Sequence, residues 1–213
     1  MAPSTPMGAP SSGDAATSLS RMTLRIAFVP GATPDKWARG WRERYPEPLE
    51  LLPLGEDDDP REALDSGAAD MVLARLPLAG DDLFCIPLYE EVPVAVVSKE
   101  HAAADFEELT VDDLADEQWV LGVPEGVQPR VEQLPFPPMG VKDAIEVVAS
   151  GTGVIVVPMS VARLHHRKDV THVPVTDLPT TRMALAWPKE SDDERTQAFV
   201  GVVRGRTSRS SRG

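Results

Sequence analysis

Short apolar runs alternate with helical patterns in the first third of the chain. Three runs are bounded by turn residues and are expected to form strands, namely Leu24–Val29, Leu49–Leu54 and Asp70–Leu76. Between the first two, Trp37 and Trp41 fall on one face of a predicted helix that Thr33 caps. A shorter helix capped by Asp59 separates the second run from the third. This β-α-β-α-β order predicts a parallel sheet with helices on its faces.

The rest of the pattern predicts a second group of elements. Six more strands are expected, namely Phe84–Leu88, Val92–Ser98, Trp119–Val123, Val154–Val157, His172–Val175 and Met183–Trp187. Pro93 places the second of these at a sheet edge or at a crossover. Five prolines make residues 124–140 largely irregular. Four helices are predicted as well, namely a short one capped by Thr110, Val141–Ser150, a short one from Pro158 to Leu164, and a last one capped by Ser191.

Composition and charge narrow the class of protein. The 213 residues are 42% apolar and carry a net charge of −13, which is typical of a globular chain that repels nucleic-acid phosphates. Residues 1–23, rich in Pro, Ser, Ala, Gly and Thr, are predicted to form a disordered arm, and residues 207–213 a disordered basic tail. No apolar run of membrane length and no secretion-signal pattern occurs, so a cytoplasmic protein without membrane contact is expected.

Motifs for catalysis or metal binding are missing from the sequence. No nucleophile-base arrangement, phosphate-binding loop or metal-ligand spacing occurs, so neither an enzyme nor a cofactor is expected. The adjacent His165 and His166 favour a solvated helix end over a metal or anion site, because neighbouring side chains on a helix diverge. The lone Cys85 excludes an internal disulfide and, within an apolar run, is expected to be buried.

Several stretches together resemble one known family. In this order and spacing, LRIAFVPGATP, LDSGAADMVLARLP, CIPLYEEVPVAVVSKEHA and VVASGTGVIVVP resemble the effector-binding domain of LysR-type transcriptional regulators. The resemblance runs from Leu24 to Val203. It implies an α/β fold of the type 2 periplasmic-binding-protein kind, in which two Rossmann-like lobes are joined by two crossing strands and an effector binds between them. Lobe I would comprise residues 24–94 plus 176–206, and lobe II residues 95–175.

The resemblance also implies a function, with two departures. Family members normally begin with a winged helix-turn-helix, whereas only 23 residues precede the first predicted strand, so direct operator binding is not expected. Residues 124–140 are short and proline-rich where the family has a full helix, so this wall of the cleft is expected to differ or to bind something smaller. The implied role is a transcription-regulation accessory that binds a small anionic metabolite and forms a homodimer, or a heterodimer with a related regulator. A degenerate interaction module without ligand and an enzyme on the same fold are the alternatives.

Candidate ligand-binding residues follow from the positions of the strands. Ligands in parallel α/β sheets bind at the carboxyl ends of strands, beside helix starts. The candidates at such positions are Gly31, Ala32, Thr33, Gly55, Arg75, Leu76, Val123 and Gly126. Thr33 is expected to cap its helix whether or not it contacts a ligand. The glycine-bounded segment 122–126 either closes on the ligand or forms a simple turn.

Arg75 is the candidate with the most specific chemistry. Its guanidinium lies within an apolar strand, and burying it without an anionic partner is costly. The partner is either a ligand carboxylate, held bidentately, or a structural aspartate among Asp70, Asp81 and Asp82. Exposure at the strand end is the remaining alternative.

Overall fold

The computed structural model describes residues 23–205. The predicted basic tail and the predicted arm, apart from its last residue, lie outside this range. Within it, no helix combines the length and the apolar character that crossing a membrane requires.

The described residues form strands and helices in alternation. The strands are β1 (Leu24–Phe28), β2 (Leu49–Pro53), β3 (Met71–Arg75), β4 (Leu83–Glu91), β5 (Pro93–Ser98), β6 (Ile155–Pro158), β7 (Val170–Pro174) and β8 (Thr181–Pro188). The α-helices are α1 (Asp35–Arg42), α2 (Pro60–Asp65), α3 (Val141–Ala149), α4 (Met159–Leu164) and α5 (Glu194–Val203). Short 3₁₀ turns cover Ala102–Asp105, Asp112–Leu114 and Lys189–Ser191. Residues 124–140 contain no helix or strand, as their prolines predict.

The first sheet has five strands in the order β2-β1-β3-β8-β4. β1 pairs in parallel with β2 and β3, which confirms the β-α-β-α-β prediction, and β8 runs antiparallel to β3 and β4. The core of this half is built around Trp41 of α1 and Phe199 of α5, whose ring centroids are 5.9 Å apart. The indole N–H of Trp41 donates to the carbonyl of Glu47, so the buried ring keeps its polar atom satisfied.

The second sheet has three antiparallel strands in the order β6-β5-β7. One face packs against Ile145 and Val148 of α3, and the other covers Leu114 and Trp119. The chain passes from the first sheet to the second at Val92, between β4 and β5, and returns between β7 and β8. Two α/β layers joined at two crossings result, as the predicted fold class requires.

The edge position suggested for the strand that begins with Pro93 is wrong, because β5 is the middle strand of its sheet. Pro93 is nevertheless accommodated at the crossover, which was the other possibility. It is the first residue of β5, and its carbonyl accepts from the N–H of Val175. Because Pro93 begins the strand, the backbone N–H that proline lacks is missing only at the first position of β5.

The strand predicted at Trp119–Val123 does not form. Trp119 makes one isolated bridge to Val154, and the N–H of Gly122 then turns back to the carbonyl of Trp119. Gly122 has a φ of 89°, which reverses the chain before the proline-rich segment. An apolar run bounded by such a turn is too short to pair further.

Three other local predictions also need correction. Pro34, and not Thr33, is the N-cap of α1, and no side chain caps this helix. Asp193, and not Ser191, caps α5, in a reciprocal capping box with Thr196. Cys85 is exposed, because its strand β4 forms the edge of the first sheet. By contrast, Asp59 caps α2 as predicted.

The packing of α5 on α1 generates a stability prediction. Phe199→Ala removes a fully buried ring and should lower the free energy of unfolding by about 3–5 kcal/mol. Phe106→Ala, at a ring that is 55% exposed, should change it by less than about 0.5 kcal/mol. Urea titration of both variants measures the difference, and equal losses would contradict the assignment of Phe199 to the core.

Candidate functional site

A cleft of about 890 Å³ separates the two sheets. Its walls come from the segments that follow β1 and β2, from the end of β4 through Val92, and from α4. The first three lie on the side of the first sheet and α4 packs on the second, so both halves line the cleft. The volume falls in the range of small-molecule sites.

The structure brings some of the predicted ligand residues together at this cleft. Gly31, Ala32, Thr33 and Gly55 line it, because they follow β1 and β2 at the carboxyl edge of the parallel strands. Their contact with a ligand stays a prediction.

The remaining predicted residues, apart from Arg75, lie elsewhere. Leu76 borders a separate groove beside Cys85, and Val123 borders another beside the proline-rich segment. Gly126 belongs to a turn closed by a hydrogen bond from the N–H of Val127 to the carbonyl of Pro124. The structure therefore does not place these three on the wall of the main cleft.

Arg75 belongs to the floor of the cleft, which is formed by Arg75, Glu91, Ser160 and the carbonyl of Pro30. Its Nε donates to Oε2 of Glu91 at 2.8 Å, and the Glu91 side chain is only 3% exposed. Its Nη2 donates to the carbonyl of Pro30 at 2.9 Å and to the hydroxyl of Ser160 at 3.1 Å. Ser160 in turn donates to the other carboxylate oxygen of Glu91. Four groups from both halves of the molecule thus satisfy one another.

The partner of Arg75 is not one of the three aspartates considered from the sequence. Asp70 pairs with Arg25, and Asp82 pairs with Arg61, which lowers the pKa of Asp82 to about 2 by hydrogen bonding. Glu91 is 16 positions from Arg75, at the end of the next strand. Contact between Arg75 and a ligand stays a prediction, and its guanidinium already holds a buried carboxylate.

Gly31 allows the two halves to approach closely at this floor. Its φ is 85°, and an added Cβ would lie 2.5 Å from the hydroxyl of Ser160 and 3.0 Å from the Ser160 carbonyl carbon. Both the backbone conformation and the missing side chain are therefore required where β1 turns towards α4.

The carboxylates that line the cleft all have partners within the protein. Glu91 is held by Arg75 and Ser160, as described. Glu90 accepts from the hydroxyl of Thr180 at 3.1 Å and from Arg182 at 3.3 Å. The third carboxylate, that of Glu56, accepts from the backbone N–H of Val141 at 2.7 Å.

Arg163 also lines the cleft, and its guanidinium differs from the three carboxylates in its lack of a charged partner among the described residues. It lies exposed on α4, and its guanidinium has no ion-pair partner among residues 23–205. The pKa of His172 is lowered, first by burial and then by the positive charges of Arg163 and His166. Arg163 therefore offers a positive charge that no carboxylate of the described chain neutralises.

Exposed apolar side chains complete the lining. Tyr89, Val92 and Leu164 are more exposed than large apolar residues usually are, and all three face this cleft. Partial burial, with a smaller effect of the nearby Glu91 charge, raises the pKa of Tyr89, so its phenol stays protonated at neutral pH. The lining thus combines exposed apolar surface with the cation of Arg163.

Within residues 23–205 no group of three or more His, Cys, Asp or Glu side chains is arranged to hold a metal ion. His165 nevertheless differs from the solvated helix end that the sequence favours, because its Nε2 lies 3.2 Å from Oε1 of Glu56. The geometry of this contact is not that of a hydrogen bond.

Sequence reasoning missed Glu91, Ser160, Arg163 and the Glu56–His165 contact. Glu91 carried a usable signal, since an acid directly before a crossover strand has no local basic partner and must find one elsewhere. Ser160 and Arg163 had no such signal, because their roles depend on how α4 is placed against the first sheet.

Two α/β sheets with two crossings and a cleft between them define the type 2 periplasmic-binding-protein-like fold. A family model described as the LysR substrate binding domain matches residues 17–208. The chain therefore belongs to the LysR substrate-binding domain family. No curated protein sequence matches it.

Solved structures show the same fold at low sequence identity. The BenM effector binding domain with its effector benzoate is 21% identical, with a TM-score of 0.71 over 87% of this chain and 95% of that one. A cysteine-to-aspartate variant of full-length OxyR from Pseudomonas aeruginosa is 17% identical, with a TM-score of 0.65 over 93% and 74% of the two chains. Full-length CbnR complexed with its target DNA is 17% identical, with a TM-score of 0.67 over 92% and 75%.

The floor of the cleft generates the second prediction. Arg75→Ala leaves the buried carboxylate of Glu91 without its cation, which should lower the free energy of unfolding by about 3 kcal/mol. Arg182→Ala breaks the exposed pair with Glu90 and should cost less than about 1 kcal/mol. Urea unfolding measures both, and an Arg75→Ala loss no larger than the Arg182→Ala loss would contradict a structural role for Arg75.

Proposed function

We propose that this domain binds a small organic anion with an apolar body in the cleft between its two sheets. The observation that carries the proposal is the balance of charges on the lining. The carboxylates of Glu56, Glu90 and Glu91 are all engaged by the protein, whereas Arg163 has no ion-pair partner in the described chain. A ligand carboxylate would supply that partner, with charge-assisted hydrogen bonds from the guanidinium fork.

The apolar walls favour a compact hydrophobic body on this anion. Tyr89, Val92 and Leu164 present exposed apolar surface to the cleft, and burying such surface favours binding by about 25 cal/mol per Å². The turn from Gly31 to Thr33 offers backbone groups at the opposite wall. Benzoate, the effector named for BenM, has this combination of one carboxylate and one apolar ring.

We further propose that the domain senses this ligand for a transcription regulator and does not itself contact DNA. Its 34 acidic residues against 21 basic ones disfavour phosphate binding. In this proposal residues 24–94 plus 176–206 form one lobe and residues 95–175 the other. Ligand binding between the lobes would alter the surface offered to a second copy or to a related regulator.

Binding rather than turnover is proposed because the reactive groups of the cleft are committed to structure. The hydroxyl of Ser160 donates to Glu91, but the same carboxylate is paired with Arg75, which weakens it as a base. An interaction module with an empty cleft is the alternative that the following experiment separates.

Thermal unfolding with and without benzoate or hexanoate tests the proposal. At about 100 times its dissociation constant, a bound carboxylate adds roughly 2.7 kcal/mol, which raises Tm by about 5–10 °C for a domain of this size. Benzamide, which has the same ring without the charge, should give little shift. Arg163→Gln should remove the carboxylate shift, because the ligand then lacks its cation.

Arg39→Gln is the matched control, since Arg39 is exposed on α1 and is not part of the cleft lining. It should retain the full shift. The absence of a shift with either carboxylate, or an equal loss in both variants, would overturn the proposed anion site and favour the interaction module.

A further inference from the structure

One carboxylate spans the cleft from the first half of the molecule to the second. Glu56 follows β2 of the first sheet. Its Oε2 accepts a hydrogen bond of 2.7 Å from the N–H of Val141, the first residue of α3, which packs on the second sheet. Its Oε1 lies 3.2 Å from Nε2 of His165, directly after α4. A single side chain thus contacts two elements of the opposite half.

The start of α3 fits this carboxylate closely. The N–H of Val141 belongs to the first turn, where a helix has no internal acceptor, and the helix dipole favours a negative charge there. No side chain caps α3 from the adjoining Gly140, so Glu56 takes the place of a local cap. An added Cβ on Gly140 would lie 2.7 Å from Oε2 of Glu56, although its φ of −74° suits any residue. A Cβ here would therefore displace the carboxylate, which is the end of a flexible side chain, without straining the backbone.

The contacts of Glu56 lie far from Val92, where the chain crosses between the two sheets. The floor contacts of Ser160 with Arg75 and Glu91 lie beside Val92, where the chain crosses between the sheets, so they move little when the halves rotate. Glu56 follows β2, the strand at the opposite edge of the first sheet from β4. Four strand spacings of about 4.8 Å separate those edges by roughly 19 Å. A rotation of the halves about the crossings would therefore displace Glu56 more than the Glu91–Ser160 contact.

We propose that Glu56 is a latch that holds the cleft closed in the absence of ligand. Opening the cleft requires the carboxylate to leave both the start of α3 and His165, while the floor contacts persist as the hinge. Removal of the latch shifts the population towards an open arrangement, in which ligand enters and leaves more quickly. The latch depends on contacts within the protein and is independent of which ligand the cleft accepts.

Distances between spin labels on the two halves test the latch without any ligand. The labels are placed on the full chain at Glu62→Cys in α2 and Lys168→Cys before β7, both exposed positions, with Cys85→Ser to remove the native thiol. The wild-type latch should give one short distance. Glu56→Ala should add a longer and broader population, whereas Asp57→Ala, at the neighbouring exposed acid, should leave the distance unchanged.

Gly140→Ala provides a second variant that keeps Glu56 but pushes its carboxylate away from the helix start. It should produce the same longer population, and it decides the outcome if Glu56→Ala does not fold. Distance distributions in Glu56→Ala and Gly140→Ala that match Asp57→Ala would overturn the latch. Since no ligand is added, a failure of the carboxylate titration leaves this result unaffected, and the two proposals fail separately.

Discussion

The buried carboxylate of Glu91 is the constraint on which the arrangement of the two halves depends. It lies where the chain leaves the first sheet, and a charge taken out of water there must be paired and hydrogen-bonded. Arg75 provides the cation from the first sheet, and Ser160 provides a hydroxyl from the second half. Because the two oxygens of one carboxylate bind groups from opposite halves, the two halves are held close together at the floor of the cleft.

This constraint explains the local sequence around the floor. The close approach of α4 leaves no room for a side chain at Gly31, and the carbonyl of Pro30 is turned to accept from Arg75. The apparent conflict of an arginine within an apolar strand is resolved in the same way, since Arg75 is the last residue of β3 and its guanidinium reaches the buried carboxylate. The floor residues therefore hold the two halves together, and a ligand would occupy the space above them.

The elements with strong local patterns could be predicted from the sequence, whereas those set by tertiary contacts could not. The parallel strands β1 to β3 and the apolar face of α3 follow from periodicity and turn residues alone. Trp119–Val123 has the composition of a strand but no neighbour to pair with beyond one bridge. Asp193 displaced Ser191 as a cap because Thr196 completes the reciprocal pair three residues on.

The residues of the site likewise divide into those that sheet topology predicts and those that only tertiary contacts determine. Gly31 to Thr33 and Gly55 reach the cleft because carboxyl ends of parallel strands share one edge, which is a rule of topology. Contacts such as Val141 with Glu56 join positions 85 residues apart and have no local signature.

An anion site in an acidic chain would face repulsion from the chain's own carboxylates, and these long-range contacts would reduce it. Each lining carboxylate is drawn into a bond within the protein, to Arg75, to Arg182 or to the start of α3, so its charge is partly compensated before a ligand arrives. Repulsion of an incoming anion is reduced in the cleft although the whole chain carries a net charge of −13. In the proposed site Arg163 would be the attractive charge, because the three lining acids are already bound to other groups. Charge compensation inside the protein, rather than a surplus of basic residues, is thus what would make the cleft receptive to an anion.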